Sequence, residues 1–188
     1  NNTFNNVSRP IYCEYADNGL RITGNKITTD GNIGDASISL YYCDGSPSSR
    51  GLVANNFVQA SGDQFRSGIT VYLSNYQNIY HNSIHLNNTN TSSRALYLES
   101  GGNLRALNNI LANTGGGYAY YVTNANAVNI SNFNDLYATG TNLAYWQGTN
   151  VSNLTNLRNI SGREFNSISE DPLFYSPANL HVLHIALD

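Results

Sequence analysis

Two short segments carry the same chemistry-bearing triplet, Tyr12-Cys13-Glu14 and Tyr42-Cys43-Asp44. Cys13 lies twelve residues before Asn25, and Cys43 lies twelve before Asn55, so both triplets are expected at one position of a repeating unit. If the cysteines face inward, strand alternation turns Tyr12, Tyr42, Glu14 and Asp44 outward and sets the two carboxylates about one strand spacing (~5 Å) apart. Like charges in that position are unfavourable, so such a pair shares a proton or holds a cation. No cofactor is required by this reading, and Ca²⁺ is the one it admits. Two carboxylates near 5 Å also suit glycoside hydrolysis, with the flanking tyrosines stacking on sugar rings. A plainer reading stands beside it: Asp44 opens the turn Asp44-Gly45-Ser46-Pro47, and Glu14 solubilises an outer face. The cysteines themselves are expected to be inward thiols, because parallel Cβ vectors make the torsions of a disulfide difficult.

The element that must position these residues is a repeat. Asn-x-hydrophobic recurs at Asn2, Asn25, Asn55, Asn82, Asn108 and Asn134, at intervals of 23, 30, 27, 26 and 26 residues. An apolar run precedes most of these asparagines, as at Leu52 to Ala54 and Leu104 to Leu107. A second run rich in Ile, Val, Leu and Tyr lies ten to seventeen residues ahead, as at Ile38 to Cys43 and Ile69 to Leu73. Asn, Gly, Ser and Thr interrupt every stretch of about ten residues, so no helical stripe survives over the first 140 residues. Units of about 26 residues, each with two or three short strands, predict a parallel β-helix of five to six coils over residues 1–140. The recurrent asparagines would stack as an amide ladder at one turn.

Residues 141–188 change character. Ser152 to Gly162 has apolar residues at every third position, a polar cap at its start and Gly at its end, which predicts a short helix over about 152–161. Asp171-Pro172-Leu173-Phe174 and then Leu180 to Ile185 predict a turn and a closing strand, so that residues 141–188 cap the open end of the core. The chain starts inside a coil, and further coils are expected before Asn1.

Composition narrows the function. Charged residues make up 11% of 188 residues, while Asn alone occurs 31 times and Tyr 14 times. One Lys (Lys26) and eight Arg without a basic run disfavour nucleic acid. No apolar stretch approaches the roughly 20 residues of a membrane span. His81, His85, His181 and His184 lack the spacing of a metal site and read as structural or exposed. Eight Asn-x-Ser/Thr triplets occur, as chance predicts in so Asn-rich a chain, and they agree with a polar, uncharged surface. Tyr41, Tyr42, Tyr72, Tyr97, Tyr120 and Tyr121 fall at the first-strand position of several coils. An inward aromatic ladder is the first expectation for them, an outward platform for sugars the second.

Segments such as Thr23-Gly24-Asn25-Lys26-Ile27 and Tyr80-His81-Asn82-Ser83-Ile84 make residues 1–140 resemble the right-handed parallel β-helix proteins that include pectate lyases and polygalacturonases. The tail is similar to the closing segment of secreted bacterial members. This resemblance implies an all-β, single-stranded right-handed parallel β-helix, placed outside the cell or at its surface, with polysaccharide as the expected partner. The motifs of the superfamily's enzymes are absent, and Arg21-Ile22-Thr23 departs from Arg-Ile-Lys by lacking the lysine. Arg21 and Lys26 are the one close basic pair in a repeat, and so the candidates for binding or for the basic role that a lyase needs. The leading expectation is a polysaccharide-binding module without catalytic machinery in this segment. The alternatives are a lyase or glycoside hydrolase of unfamiliar arrangement, and a structural spacer or adhesin-like stalk.

Overall fold

The structure, a computed structural model, describes residues 1–30, 35–176 and 179–183. It is a parallel β-solenoid of about five turns in which each coil visits three sheets in the same order. Sheet I contains Thr3–Asn5, Lys26–Thr29, Phe57–Ala60, Ser83–Leu86, Ile110–Asn113 and Asp135–Ala138. Sheet II contains Ile11–Glu14, Asp35–Tyr41, Arg66–Tyr72, Arg94–Leu98, Tyr118–Val122 and Ala144–Trp146, closed by the antiparallel strand Thr149–Val151. Sheet III contains Arg21–Thr23, Gly51–Ala54, Gln77–Tyr80, Leu104–Leu107 and Val128–Asn132. The two runs noted in each sequence unit are the strands of sheets II and III. The sheet I strand, directly after the asparagine, is the third.

Alternation along each strand sends one aliphatic side chain per coil into the interior, where it stacks on the same position of the next coil. In sheet I the column is Phe4, Ile27, Val58, Ile84, Leu111 and Leu136. In sheet II one column runs Ile38, Ile69, Leu96, Tyr120, Ala144 and another Leu40, Val71, Leu98, Val122, Trp146. Apart from the half-buried Phe4, all of these are at least nine-tenths buried. Burial of this aliphatic column, at about 25 cal/mol per Å² of apolar surface, is the main force holding the coils together.

The turn from sheet III to sheet I contains the amide ladder. Its rungs are Asn2, Asn25, Asn56, Asn82, Asn109 and Asn134, so the rungs of the third and fifth coils are Asn56 and Asn109 and not Asn55 and Asn108. The reason is local. Before each rung stands a residue in the left-handed region: Gly24, Asn55, His81, Asn108 and Phe133, with φ between 53° and 69°. Asn tolerates that conformation better than most side chains, so in the doublets Asn55-Asn56 and Asn108-Asn109 the first Asn makes the turn and the second makes the rung.

Each rung's Oδ1 accepts two hydrogen bonds from the rung before it. Asn82 Oδ1, for example, accepts from the Asn56 backbone N–H at 3.2 Å and from Asn56 Nδ2 at 2.9 Å. In Asn56, Asn82, Asn109 and Asn134 the Nδ2 also donates to a backbone carbonyl, Asn82 Nδ2 to Val53 O at 2.9 Å and Asn109 Nδ2 to Ile79 O at 2.9 Å. All four hydrogen-bonding positions of a buried amide are thereby filled.

The ladder is polar, with donors pointing toward the C-terminal end, and that end is terminated by acceptors. Asn134 Nδ2 donates to Glu164 Oε2 at 3.1 Å, and the Asn134 backbone N–H donates to Ser167 Oγ at 2.9 Å. Ser131 and Ser167 hydroxyls also donate to the fully buried Glu164 carboxylate. Burial pushes the Glu164 carboxyl above its usual range, against the pull of these three donors.

The predicted helix forms as α1 (Leu154–Ser161), capped by Asn153, whose side chain accepts from the Asn156 N–H, and stopped by Gly162 in the left-handed region. Leu154 and Leu157 bury themselves on the core beside the last coil. The Asp171-Pro172 turn forms too, with the Leu173 N–H on Asp171 Oδ1 at 3.0 Å. It does not cover the end of the core as expected: it opens a hairpin, Phe174–Ser176 and Asn179–Val182, which lies along the outer face of sheet I. His184 and Ile185 lie outside the described residues.

Replacing Asn82 by Ala leaves two donors of Asn56 without their acceptor and takes from Asn109 Oδ1 and Val53 O the hydrogen bonds that Asn82 Nδ2 donates, while the backbone N–H of residue 82 still reaches Asn109 Oδ1. Chemical denaturation should show a loss of about 2–5 kcal/mol, since a buried orphaned polar group costs about 1–3 kcal/mol. Asn55→Gly, which keeps the turn and touches no rung, should stay within about 0.5 kcal/mol of the parent.

Candidate functional site

The cysteine triplets do not share a register. Cys13 pairs with Leu40, Glu14 with Tyr41 and Tyr12 with Ser39. Cys43 lies beyond the strand in the turn that follows, so the second triplet is offset along the chain by three residues. The cause is turn length: Cys13 and Arg21 are eight residues apart whereas their partners Leu40 and Leu52 are twelve apart, so the turn from sheet II to sheet III is four residues longer in the next coil and a fixed count back from the asparagine loses the register. Both cysteines are free thiols, and Cys43 Sγ donates to Cys13 O at 3.5 Å and to Tyr41 O at 3.3 Å. Burial raises both thiol pKa values, which keeps them protonated.

Glu14 and Asp44 are therefore not the stacked pair that was expected. Glu14 accepts the Tyr12 hydroxyl at 3.1 Å. Asp44 belongs to a second, shorter ladder at the turn from sheet II to sheet III. Its backbone N–H donates to Asp17 Oδ1 at 2.8 Å, and its own Oδ1 accepts from the Asn75 N–H at 2.9 Å and Asn75 Nδ2 at 2.8 Å. Asp44 thus links its turn to those of the neighbouring coils through Asp17 and Asn75. Among the described residues no group of three or more His, Cys, Asp or Glu side chains stands together as a metal site.

Arg21 and Lys26 are not brought together as a pair. Arg21 is an exposed residue of sheet III, Lys26 an exposed residue of sheet I, and the Asn25 turn separates them. Lys26 lines a cleft of about 340 Å³ with Thr28, Phe57, Gln59, Leu180 and His181, where the hairpin crosses sheet I.

What the structure does assemble is the outer face of sheet II. Tyr120 alone of the tyrosines expected inward is in the core; Tyr41, Tyr42, Tyr72, Tyr97 and Tyr121 are outside. Alternation explains this, since each of Tyr41, Tyr72, Tyr97 and Tyr121 adjoins an inward aliphatic or aromatic residue. One outward column reads Tyr12, Ser39, Thr70, Tyr97, Tyr121, Tyr145. A second reads Glu14, Tyr41, Tyr72, and Tyr15 and Tyr42 stand at the adjoining turn in the left-handed region.

The rings touch one another. Tyr15 and Tyr42 stack at 5.2 Å and 12°, and Tyr12–Tyr41 and Tyr41–Tyr72 lie at 5.5 and 5.1 Å, tilted by 35° and 37°. Stacked rings turn their edges and hydroxyls to solvent. Ring faces are offered where a neighbour stands edge-on, as at Tyr42–Tyr72 (90°) and Tyr97–Tyr121 (88°). At the far end the Arg94 guanidinium sits over Tyr97 and Tyr121, 4.3 and 3.8 Å from the ring centroids. Partial burial and the Glu14 carboxylate raise the Tyr12 phenol pKa, and contact with Tyr42 raises that of Tyr72. These phenols stay protonated and act as donors.

Sheet I's outer face carries a different cluster beneath the hairpin. Phe174 packs on His85 at 5.2 Å, and His181 on Phe57 at 5.9 Å. His85 Nε2 lies 2.9 Å from Thr114 Oγ1, and burial lowers the His85 pKa, opposed by Asp171. Asp135, two strands on in the last coil and in the column of Ser83 and Ile110, is pushed up to about 7 by burial, a shift opposed by the Glu170 N–H and reinforced by the Glu170 and Asp171 charges. Sequence reasoning did not single out Asp135, because the segment from Ile168 to Asp171 that lies against it comes from more than thirty residues away.

No family model matches this chain, and neither the curated proteins nor the solved structures include a significant match.

Asp135 is protonated in the folded chain well above the ordinary carboxylate range of about 3.9. Its contribution is complete below about pH 4 and is lost as the pH rises through about 7. Thermal melts from pH 5 to 8 should show the parent losing stability with rising pH and Asp135→Asn losing less; equal slopes would show that Asp135 is ionised throughout.

Proposed function

We propose that this chain is a polysaccharide-binding module of a secreted or cell-surface protein, with the tyrosine-lined outer face of sheet II as its binding surface. The observation that carries the reading is the outward placement of Tyr12, Tyr15 and Tyr42, of which Tyr15 is 68% exposed. A soluble domain rarely turns so many neighbouring aromatic rings to solvent without a partner for them. Tyrosine is the aromatic residue suited to a sugar, because its ring covers C–H surface and its hydroxyl bonds to sugar hydroxyls. Glu14, beside Tyr12, supplies acceptors for the same hydroxyls. The solenoid is a rigid rod that repeats its surface at about 4.8 Å, so a polymer can make the same contact several times.

The reading is tested by electrophoresis through gels containing one polysaccharide at a time, with reducing ends followed in parallel to detect cleavage. Retardation by at least one polymer is expected, weakened about tenfold or more in Tyr15→Ala/Tyr42→Ala, since each ring contributes about 1 kcal/mol. Tyr175→Ala, an equally exposed ring on the hairpin, should leave retardation unchanged. Retardation unaffected by the double variant would remove the tyrosine face from the account.

A further inference from the structure

We infer that the outer face of sheet II takes an uncharged polysaccharide whose chain runs along the solenoid axis, across the strands. This rests on the binding reading above and specifies the class of polymer and its direction. The direction follows from how the rings are arranged. Tyr12, Tyr97, Tyr121 and Tyr145 belong to a single register column, with Ser39 and Thr70 between the first two. Five strand steps separate Tyr12 from Tyr145, a path of about 24 Å. Along any one strand of this face there is room for only two outward tyrosines, as at Tyr118 and Tyr121 in contact at 5.1 Å. The long aromatic path therefore lies parallel to the axis.

The charge class follows from what borders that path. Glu14 accepts the Tyr12 hydroxyl, and Glu99 lies beside Tyr72 and Tyr97, raising the pKa of both phenols. Asp17 and Asp44 are bonded together at the neighbouring turn. Among the described residues the cations of the face are Arg9, over Tyr12, Arg94, set over the Tyr97 and Tyr121 rings, and the buried Arg66 at its edge, which donates to Ser8 O at 3.2 Å. Four carboxylates against two guanidiniums at the surface, one of them held by two ring faces, and a third that is buried, leave the path a net negative potential. A polymer bearing carboxylates or sulfates is repelled there, whereas neutral hydroxyls donate to Glu14 and Glu99 and accept from the phenols.

The test uses two matched pairs of polymers, hydroxyethyl cellulose with carboxymethyl cellulose and dextran with carboxymethyl dextran, on the full chain at low and high salt. At least one uncharged polymer should bind, with its carboxylated counterpart about tenfold weaker at low salt. Raising the salt should narrow the gap, because exposed charges are screened over about 10 Å at 0.1 M. Glu14→Gln/Glu99→Gln should narrow it at low salt. Tyr12→Ala and Tyr145→Ala, at opposite ends of the column, should each weaken the long polymer. Equal or tighter binding of the carboxylated member at low salt, or a gap indifferent to salt and to the Glu→Gln changes, would overturn the charge class. Sensitivity to only one of the two tyrosine variants would overturn the direction. Binding of no polymer would instead remove the reading on which the inference rests.

Discussion

A buried side-chain amide must have all of its hydrogen bonds made, and that requirement fixes the register of this protein. An Asn at the sheet III to sheet I turn has two donors and an oxygen with two lone pairs, shielded from water. The rung above supplies the donors to its oxygen, the rung below accepts one Nδ2 hydrogen and a backbone carbonyl the other, as at Asn82, so the amides must stand in line. Once Asn25, Asn56, Asn82, Asn109 and Asn134 are aligned, the strands on either side have no freedom to slip. A one-residue slip would turn the inward column of each strand outward and the outward tyrosines of sheet II inward. The outer face of sheet II is thus a consequence of a ladder on another edge of the coil.

The same requirement explains the end of the solenoid. A chain of amides whose donors all point one way must finish on an acceptor. Glu164 and Ser167 supply it, although burial of a carboxylate is itself unfavourable. The helix beside them covers the last apolar layer, and Arg158 ties the segment together by donating from Nε to Glu164 O at 2.9 Å.

Much of this was legible in the sequence. The period, the strand runs of sheets II and III and the helix with its Asn153 cap and Gly162 stop all follow from local pattern, which is where sequence is strongest. The ladder was legible as a motif and misplaced by one residue at Asn55 and Asn108, because Asn serves both as a left-handed turn residue and as a rung, and the doublets offer both. The stacked acid pair expected of Glu14 and Asp44 fails for a separate reason: the turn from sheet II to sheet III is four residues longer in the second coil, so equal distances from the asparagine do not mean equal register. The tyrosines were expected inward first, although alternation carried the signal that turns them out, as in Leu96-Tyr97-Leu98, where the aliphatic neighbours claim the interior. The cluster of His85, Asp135 and Asp171 was not legible, since it forms only when the hairpin folds back across sheet I from more than thirty residues beyond the last coil strand of that sheet.

The central claim is that Asn56 and Asn109 are rungs and Asn55 and Asn108 are turn residues, and side-chain amide exchange tests it most directly. In two-dimensional ¹H–¹⁵N spectra recorded after transfer to D₂O, the Nδ2 protons of Asn56, Asn82 and Asn109 should persist with the slowest backbone amides. Those of Asn55 and Asn108 should vanish at once. Fast exchange at Asn56 and Asn109, or protection at Asn55 and Asn108 in their place, would contradict the register on which the tyrosine face depends.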